Sequence, residues 1–279
     1  MHWGQQLSSA LRTRHVALPA EHGAWVFLFS PLAIGLALGG VRPASLLLVV
    51  GVLAAFLIRQ PVTIAVKAWS GRRGKNELPA AAAWLGIYGL LGLLAAGSLI
   101  ALGYGFILWL AVPAVPVFAW HLWLVSRRAE RRQWLMEIAA SGVLALSAPA
   151  AYWVGRGAID PTGWLLWGLS WLQVAGTILY AYLRLAQRQL KAQPTPRERL
   201  WMGRGAMLYN LAALLLVSGL AVVRAVPAPL VLAYLIQPLE VLWGITHPAV
   251  GVKPKVIGIR QLIVSLLFTV TFILTWGWG

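Results

Sequence analysis

The sequence predicts an all-α fold, a polytopic membrane helical bundle of about nine transmembrane helices. Residues 1–279 are expected to form a single domain. Hydrophobic residues make up 60% of the chain and charged residues only 11%, whereas soluble domains carry about 25% charged residues. Apolar runs long enough to cross a bilayer recur along the chain. Basic residues concentrate in alternate loops between these runs. Together these observations exclude a soluble globular domain.

Nine apolar runs define the predicted helices, which are numbered one to nine in chain order. The first two runs are short and contain Gly and Pro. After helix two, Thr63 and Lys67 are four residues apart and predict a short interfacial helix. Pro113 and Pro116 are expected to kink helix four, and Pro238 to bend helix eight, because proline removes a helical hydrogen bond. The runs are 23–40, 44–58, 79–98, 104–125, 134–154, 162–183, 205–223, 228–246 and 260–278.

The basic residues predict the orientation of the bundle. Twenty of the 23 lysines and arginines lie in the N-terminal segment or near the loops after helices two, four, six and eight. The opposite side carries only Arg42, Arg156 and Arg224. Since basic loops stay in the cytoplasm, we expect a cytoplasmic N-terminus and an external C-terminus in the bacterial cytoplasmic membrane.

Composition also excludes several classes of function. Cysteine is absent, which excludes disulfides, thiolate metal sites and cysteine nucleophiles. The net charge of +16 could indicate a nucleic-acid partner, but the charges are scattered over short loops and no nucleic-acid motif accompanies them. We therefore expect membrane lipids as partners and no nucleic acid. The N-terminal residues lack the apolar core of a signal peptide, so we expect the first apolar run to remain in the mature protein.

Ionisable side chains gather at the predicted cytoplasmic ends of the helices. His22 opens helix one, His121 lies near the inner end of helix four, Glu137 opens helix five, and Glu240 and His247 lie in or near helix eight. Such groups are costly at membrane depth unless they are paired or line a wet cavity. Glu240, Glu137 and His22 are the candidate catalytic residues, as general acids or bases.

Polar residues also follow one face of helix six and one face of helix eight. Spacings of three, four and seven residues place each set on a single stripe. Such stripes either bond neighbouring helices together or line a cavity. The members are Gln173, Thr177, Tyr180 and Arg184 on helix six, and Gln237, Glu240 and His247 on helix eight.

A metal site is not indicated. His22, His121 and His247 could lie at similar depth, and histidine with carboxylate suits zinc or iron. However, no paired local spacing of metal ligands supports such a site. The cofactor is therefore left unassigned.

Six cations near the predicted cytoplasmic face indicate a pocket for an anion. If they converge below an apolar cavity, their field would attract a phosphate, diphosphate or carboxylate that carries a hydrocarbon tail. Tyr180, Gln237 and His247 would line the same cavity. The predicted ligand is an amphiphilic anion, with a prenyl diphosphate as one example. The six cations are Arg59, Lys67, Arg184, Lys253, Lys255 and Arg260.

Four segments of the chain resemble the YwiC-like family of bacterial membrane proteins. Two of them are Pro19-Ala-Glu-His-Gly-Ala-Trp25, and Arg59-Gln-Pro61 followed by Lys67. The others are the arginine-rich loop 127–132 that leads to Glu137, and the segment Lys253-Pro-Lys255-Val-Ile-Gly258-Ile-Arg260. This resemblance spans almost the whole chain and implies a membrane protein without implying a particular chemistry.

The chain also resembles, more distantly, the UbiA superfamily of intramembrane prenyltransferases. That resemblance implies nine helices, a cytoplasmic N-terminus and functional loops after helices two and six. In that family aspartate-rich loops hold Mg²⁺ and a prenyl diphosphate. Here residues 59–78 contain only Glu77 as an acid, and residues 184–204 only Glu198. Either the chain does not use that chemistry, or cationic side chains replace the metal ions.

Three functions remain open on the sequence alone. The chain could bind or transport an amphiphilic or phosphorylated anion in the cationic pocket. It could be a UbiA-like transferase, with Arg59, Lys67, Arg184 and Lys255 as anion clamps and Glu240 or Glu137 as the acid or base. It could also be an accessory or assembly subunit of a membrane complex.

Overall fold

The computed structural model describes residues 14–19, 22–129 and 133–278, and every regular element within these ranges is a helix. The predicted all-α bundle is therefore confirmed. Short 3-10 helices cover Lys75–Glu77, Gly105–Ala111 and Ala228–Leu230. The α-helices are α1 (Arg14–Ala17), α2 (His22–Gly39), α3 (Pro43–Trp69), α4 (Leu78–Ala101), α5 (Ala114–Ser126), α6 (Trp134–Ala145), α7 (Ser147–Arg156), α8 (Pro161–Gln187), α9 (Pro196–Val222), α10 (Val231–Thr246) and α11 (Pro254–Trp276).

Seven helical segments in the described part of the chain are long and apolar enough to cross a membrane. These dimensions are those of a multi-pass membrane protein. A shorter apolar helix covers Gly23–Gly39, and α8 has 27 residues but carries polar side chains along one face. The count of nine crossings stays a prediction. The seven segments are Pro43–Trp69, Lys75–Ala101, Gly105–Ser126, Trp134–Arg156, Pro196–Val222, Ala228–Thr246 and Pro254–Trp276.

Helix α8 lies at the centre of the bundle and packs against α2, α6, α7, α9, α10 and α11. The core around it is built from large buried side chains such as Trp153, Tyr234 and Phe268. Close helix packing at membrane depth depends on small residues, and Gly163 of α8 is one of them. A Cβ at Gly163 would overlap the indole of Trp153. The glycine therefore lets α7 and α8 approach closely.

Helices α3 and α4 form an antiparallel pair beside this core. They pack most extensively against each other, and α3 also contacts α1, α5 and α7. The region between α8, α10 and α11 is thus separate from the region between α3, α5 and α6.

Proline positions explain two breaks in the predicted helices. Predicted helix four is divided into a 3-10 turn, Gly105–Ala111, and α5, with Pro113 immediately before α5. This confirms the expected kink. Predicted helix five was expected to be continuous, but it divides into α6 and α7 at Leu146. Pro149 has no N–H to donate to the carbonyl of Ala145, which allows the chain to turn there.

Three helices extend beyond their predicted bounds. The prediction of a separate short interfacial helix around Thr63 is wrong, because α3 runs without interruption through Pro61 to Trp69. Helix α9 begins at Pro196 instead of 205, since Thr195 and Glu198 form a capping box. Helix α11 begins at Pro254 instead of 260. Arg260 therefore lies inside a helix and not in the preceding loop.

Candidate functional site

The polar faces of α8 and α10 meet around the carboxylate of Glu240. Its Oε1 accepts a hydrogen bond from the Tyr180 hydroxyl at 2.9 Å and another from Nε of Arg260 at 2.6 Å. Its Oε2 accepts a hydrogen bond from Nη2 of Arg260 at 2.7 Å. The guanidinium carbon of Arg260 lies 3.3 Å from the ring centroid of Trp243. We call Tyr180, Glu240, Trp243 and Arg260 the Glu240 cluster, which joins α8, α10 and α11.

The burial of this cluster falls from one partner to the next. Tyr180 is fully buried, the Glu240 side chain is 8% exposed, and the Arg260 side chain is 39% exposed. A buried ion pair persists only when its hydrogen bonds are complete, and both oxygens of Glu240 are engaged. Arg260 therefore neutralises Glu240 from the more accessible end of the cluster.

Local sequence on α10 creates this arrangement. Glu240, Trp243 and Gly244 are three and four residues apart, so they share one face of the helix. A Cβ at position 244 would overlap the Tyr180 ring and hydroxyl. Glycine at this position lets Tyr180 reach Glu240.

Arg184 lies beside the cluster but binds backbone. Its Nη1 is 2.9 Å from the carbonyl oxygen of Gly244 and 2.7 Å from that of His247. These carbonyls lie at the C-terminal end of α10, where they lack helical partners and attract a positive charge. Gln187 assists, because its Nε2 donates to the same Gly244 carbonyl and its Oε1 accepts from the N–H of Ala249. Arg184 and Gln187 thus fasten α8 to the end of α10.

A second buried polar layer lies deeper in the bundle. Nε2 of Gln173 and the hydroxyl of Thr177 each lie 3.4 Å from Oε1 of Gln237. All three side chains are buried. Within the described part of the chain, Nε2 of Gln237 and the hydroxyl of Ser170 have no hydrogen-bond partner. This layer connects α8 and α10 by long hydrogen bonds.

His247, Lys253 and Lys255 lie at the exposed rim of this region. The ring of His247 stacks on Trp243 with centroids 5.0 Å apart, and its Nδ1 is 2.9 Å from the hydroxyl of Thr246. Both lysines are exposed at the start of α11. The structure therefore brings these residues to the same end of the bundle as Arg260.

A separate groove of about 230 Å³ lies between α3, α5 and α6. Its polar side chains are Arg59 and His121, and the guanidinium carbon of Arg59 lies 5.3 Å from the ring centroid of Phe56. The remaining lining is nonpolar and includes Ile58, Val115, Phe118, Met136, Val143 and Leu144. We call this space the α3–α5–α6 groove.

Three other predicted site residues lie on α6, α3 and α2. Glu137 of α6 accepts a hydrogen bond from the hydroxyl of Tyr182 at 2.7 Å. Lys67 lies near the C-terminal end of α3, two residues before Trp69. The backbone of His22 begins α2, and its side chain lies outside the described residues. The six predicted cations are thus divided, with Arg59 and Lys67 on α3 and Arg184 and Arg260 in the α8–α11 region.

The sequence pattern missed two members of the site. Trp243 belongs to an apolar face and gave no signal apart from its spacing from Glu240. Gln187 is completely buried, although it follows Arg184 by three residues on the polar face and could have been included with it. Among the residues that the structure describes, no group of three or more His, Asp or Glu side chains could hold a metal ion.

Comparisons with known proteins extend this description. The family described as YwiC-like protein matches residues 18–152. A curated relative, the uncharacterized protein YwiC of Bacillus subtilis (strain 168), is 26% identical over 182 residues, which cover 63% of this chain and 70% of the relative. No solved structure matches the chain. The resemblance to the YwiC-like family is confirmed, and the resemblance to the UbiA superfamily stays a prediction.

The family match bears unequally on the two regions. Every lining residue of the α3–α5–α6 groove, from Ala55 to Leu144, lies within residues 18–152. The Glu240 cluster lies beyond that range. The groove therefore lies wholly within the part of the chain that matches the YwiC-like family.

Proposed function

This chain is related to the YwiC-like family of membrane proteins, and from that premise we propose that it binds an amphiphilic anion in the α3–α5–α6 groove. The head of the ligand would carry a phosphate, diphosphate or carboxylate and would lie at Arg59 and His121. Its hydrocarbon tail would lie along the nonpolar walls. The proposal places the protein in the bacterial cytoplasmic membrane, with this end of the groove toward the cytoplasm.

The observation that carries the proposal is the separation of polar and nonpolar lining along the groove. In the predicted orientation, α3 and α5 run toward the cytoplasmic face and α6 runs away from it. Arg59 and His121 come late in their lining segments, whereas Val143 and Leu144 come late in α6. The cationic end is therefore the cytoplasmic end, and the nonpolar end is nearer the bilayer centre.

The groove's size and openness suit a membrane amphiphile. Its volume of about 230 Å³ is below the roughly 300–1,000 Å³ of sites that enclose a whole small molecule. Val115, on its rim, is 69% exposed. A headgroup and the first part of a chain could enter, while the rest of the chain stays in the lipid. Arginine suits the head because its guanidinium binds phosphate and carboxylate through two parallel hydrogen bonds.

The contacts in the α8–α11 region favour a different role for its arginines. Arg184 is engaged by the carbonyls at the end of α10, and Arg260 by Glu240. An anion that bound there would have to displace these partners. We therefore assign Arg184 and Arg260 to helix association.

The test is thermal stabilisation of the detergent-purified protein by dodecyl phosphate and by farnesyl diphosphate. At about 100-fold excess over the dissociation constant, a ligand raises the melting temperature by about 5 °C for a chain of this size. We expect Arg59→Gln to abolish this shift and Arg127→Gln, at an exposed position on the same side of the bundle, to retain it. An unchanged shift in Arg59→Gln would refute the groove as the binding site.

The UbiA-like transferase remains an alternative within the same experiment. It would place a prenyl diphosphate at Arg59, at the polar end of the groove. Farnesyl diphosphate is therefore tested with and without Mg²⁺. In this chain cationic side chains would replace the metal ions of that family. Stabilisation by farnesyl diphosphate without Mg²⁺ and not by dodecyl phosphate would therefore favour the transferase, and stabilisation by both ligands would favour simple anion binding. If neither ligand stabilises the protein, the accessory-subunit alternative becomes the better hypothesis.

A further inference from the structure

A basic cavity of about 920 Å³ lies where α8 leads into α9. The loop after α8 and the first turns of α9 line it, and Lys191, Arg197 and Arg204 contribute its positive charges. All three side chains are exposed. Trp201 and Leu200, which are 65% and 62% exposed, complete a nonpolar edge.

The carboxylate in this cavity does not cancel its charge. Glu198 is the acid among the lining residues, and its Oε2 accepts hydrogen bonds from the backbone N–H of Thr195 at 2.7 Å and from its hydroxyl at 2.9 Å. These bonds form the capping box that begins α9. Glu198 is hydrogen-bonded within the helix cap. The three basic side chains of the cavity therefore outnumber its one carboxylate, which already has hydrogen-bond partners.

Arg204 stacks on Trp201 near the start of α9. Its guanidinium carbon lies 3.2 Å from the ring centroid of Trp201. Helical side chains lean toward the N-terminus, so this stacking draws the charge of Arg204 toward the predicted cytoplasmic surface. Tryptophan is typical of the same interfacial depth. The pair therefore forms an ordered cationic site at the membrane boundary.

A nonpolar face continues from Arg204 into the predicted membrane. Leu208, Leu211 and Leu215 follow it by four, seven and eleven residues, which places them on one face of α9. They are 65%, 40% and 72% exposed. At about 1.5 Å per residue the face extends roughly 16 Å beyond Arg204, which is about half the hydrocarbon thickness of a bilayer.

We propose that this cavity and the leucine face bind one anionic phospholipid of the cytoplasmic leaflet. The phosphate lies between Lys191, Arg197 and Arg204, and an acyl chain lies along Leu208, Leu211 and Leu215. This site is separate from the α3–α5–α6 groove, and the inference does not rest on the function proposed for that groove.

The experiment is native mass spectrometry of the full chain in detergent, titrated with phosphatidylglycerol and, separately, with phosphatidylcholine. We expect a phosphatidylglycerol adduct that phosphatidylcholine does not produce. The triple variant Lys191→Gln, Arg197→Gln, Arg204→Gln should weaken that adduct by about tenfold or more, since each interfacial cation strengthens binding to anionic lipid. The comparison is made in an Arg59→Gln background, so that phosphatidylglycerol bound in the α3–α5–α6 groove does not contribute to the adduct.

The matched control removes the same number of charges elsewhere on the predicted cytoplasmic side, as Arg127→Gln, Lys253→Gln, Lys255→Gln. It should keep the adduct. The variant Lys191→Arg, Arg197→Lys, Arg204→Lys should also keep it, since it preserves the charges. Equal weakening in the control would overturn the proposal by showing a general charge effect. Displacement of the lipid by millimolar inorganic phosphate would overturn it too, because the site would then recognise free phosphate.

Discussion

At the scale of residues, the Glu240–Arg260 pair is asymmetric, and its two partners should respond differently to substitution. Arg260→Gln leaves the carboxylate of Glu240, which is 8% exposed, without its counter-ion. Losing one partner of a buried pair costs about 3–5 kcal/mol. Glu240→Gln should cost less, about 1–2 kcal/mol, because the Arg260 side chain is 39% exposed and can reach water.

The measurement is a double-mutant cycle of melting temperatures in detergent. We expect Arg260→Gln to melt below Glu240→Gln, and the double variant to recover part of the loss because no buried charge remains unpaired. Additive effects of the two substitutions would contradict the pairing.

Spacing in the sequence was sufficient to group some of the site residues but not to find all of them. Tyr180, Gln237 and Glu240 were grouped by helical periodicity, and the structure brings them to one helix interface. Arg59 was grouped with them by charge alone. Charge carries no information on which helices are neighbours, and α3 packs elsewhere. Trp243 was missed because its contact with Arg260 depends on how α10 and α11 are rotated.

At the scale of elements, the contact between α8 and α10 depends on the absence of a side chain at Gly244. Gly244→Ala would place a Cβ against the Tyr180 ring, and overpacking of this kind costs about 1–3 kcal/mol. The Tyr180 hydroxyl would also move from Glu240. We expect a lower melting temperature in detergent.

The control is Gly205→Ala on α9, where an added Cβ meets no atom of another described element within 4 Å. Alanine is a better helix former than glycine by about 0.5–1 kcal/mol, so this variant should melt at the same or a higher temperature. Destabilisation of both variants alike would show that glycine is needed for a reason other than packing.

Helix ends were predicted less well than helix centres, for reasons that differ between helices. Hydropathy placed the start of α9 at 205 because Arg197, Arg199 and Arg204 are polar, although the Thr195–Glu198 pattern is a capping box. The break between α6 and α7 had a signal in the sequence, which is Pro149. However, proline at membrane depth is compatible with either a kink or a continuous helix.

At the scale of the whole molecule, composition and run length were sufficient to predict an all-α membrane bundle. Only helices satisfy their backbone hydrogen bonds within a single apolar segment, so long apolar runs leave few other folds available. Relative helix rotation follows instead from contacts such as Gly163 against Trp153. Those contacts join residues of different helices, and periodicity within one helix does not predict them.

The orientation of the bundle and the crossing of α9 can be tested together, because the chain contains no cysteine and single cysteines can be introduced as reporters. Gln193→Cys lies in the exposed loop between α8 and α9, and Val223→Cys lies just after α9 at a position that is 70% exposed. The positive-inside rule predicts a cytoplasmic position for the first and an external one for the second. In intact cells, a membrane-impermeant maleimide should therefore label Val223→Cys and leave Gln193→Cys unlabelled until the cells are lysed. Labelling of both in intact cells would mean that α9 does not cross the membrane, and the reverse pattern would invert the bundle and place Arg59 and Arg204 away from the cytoplasm.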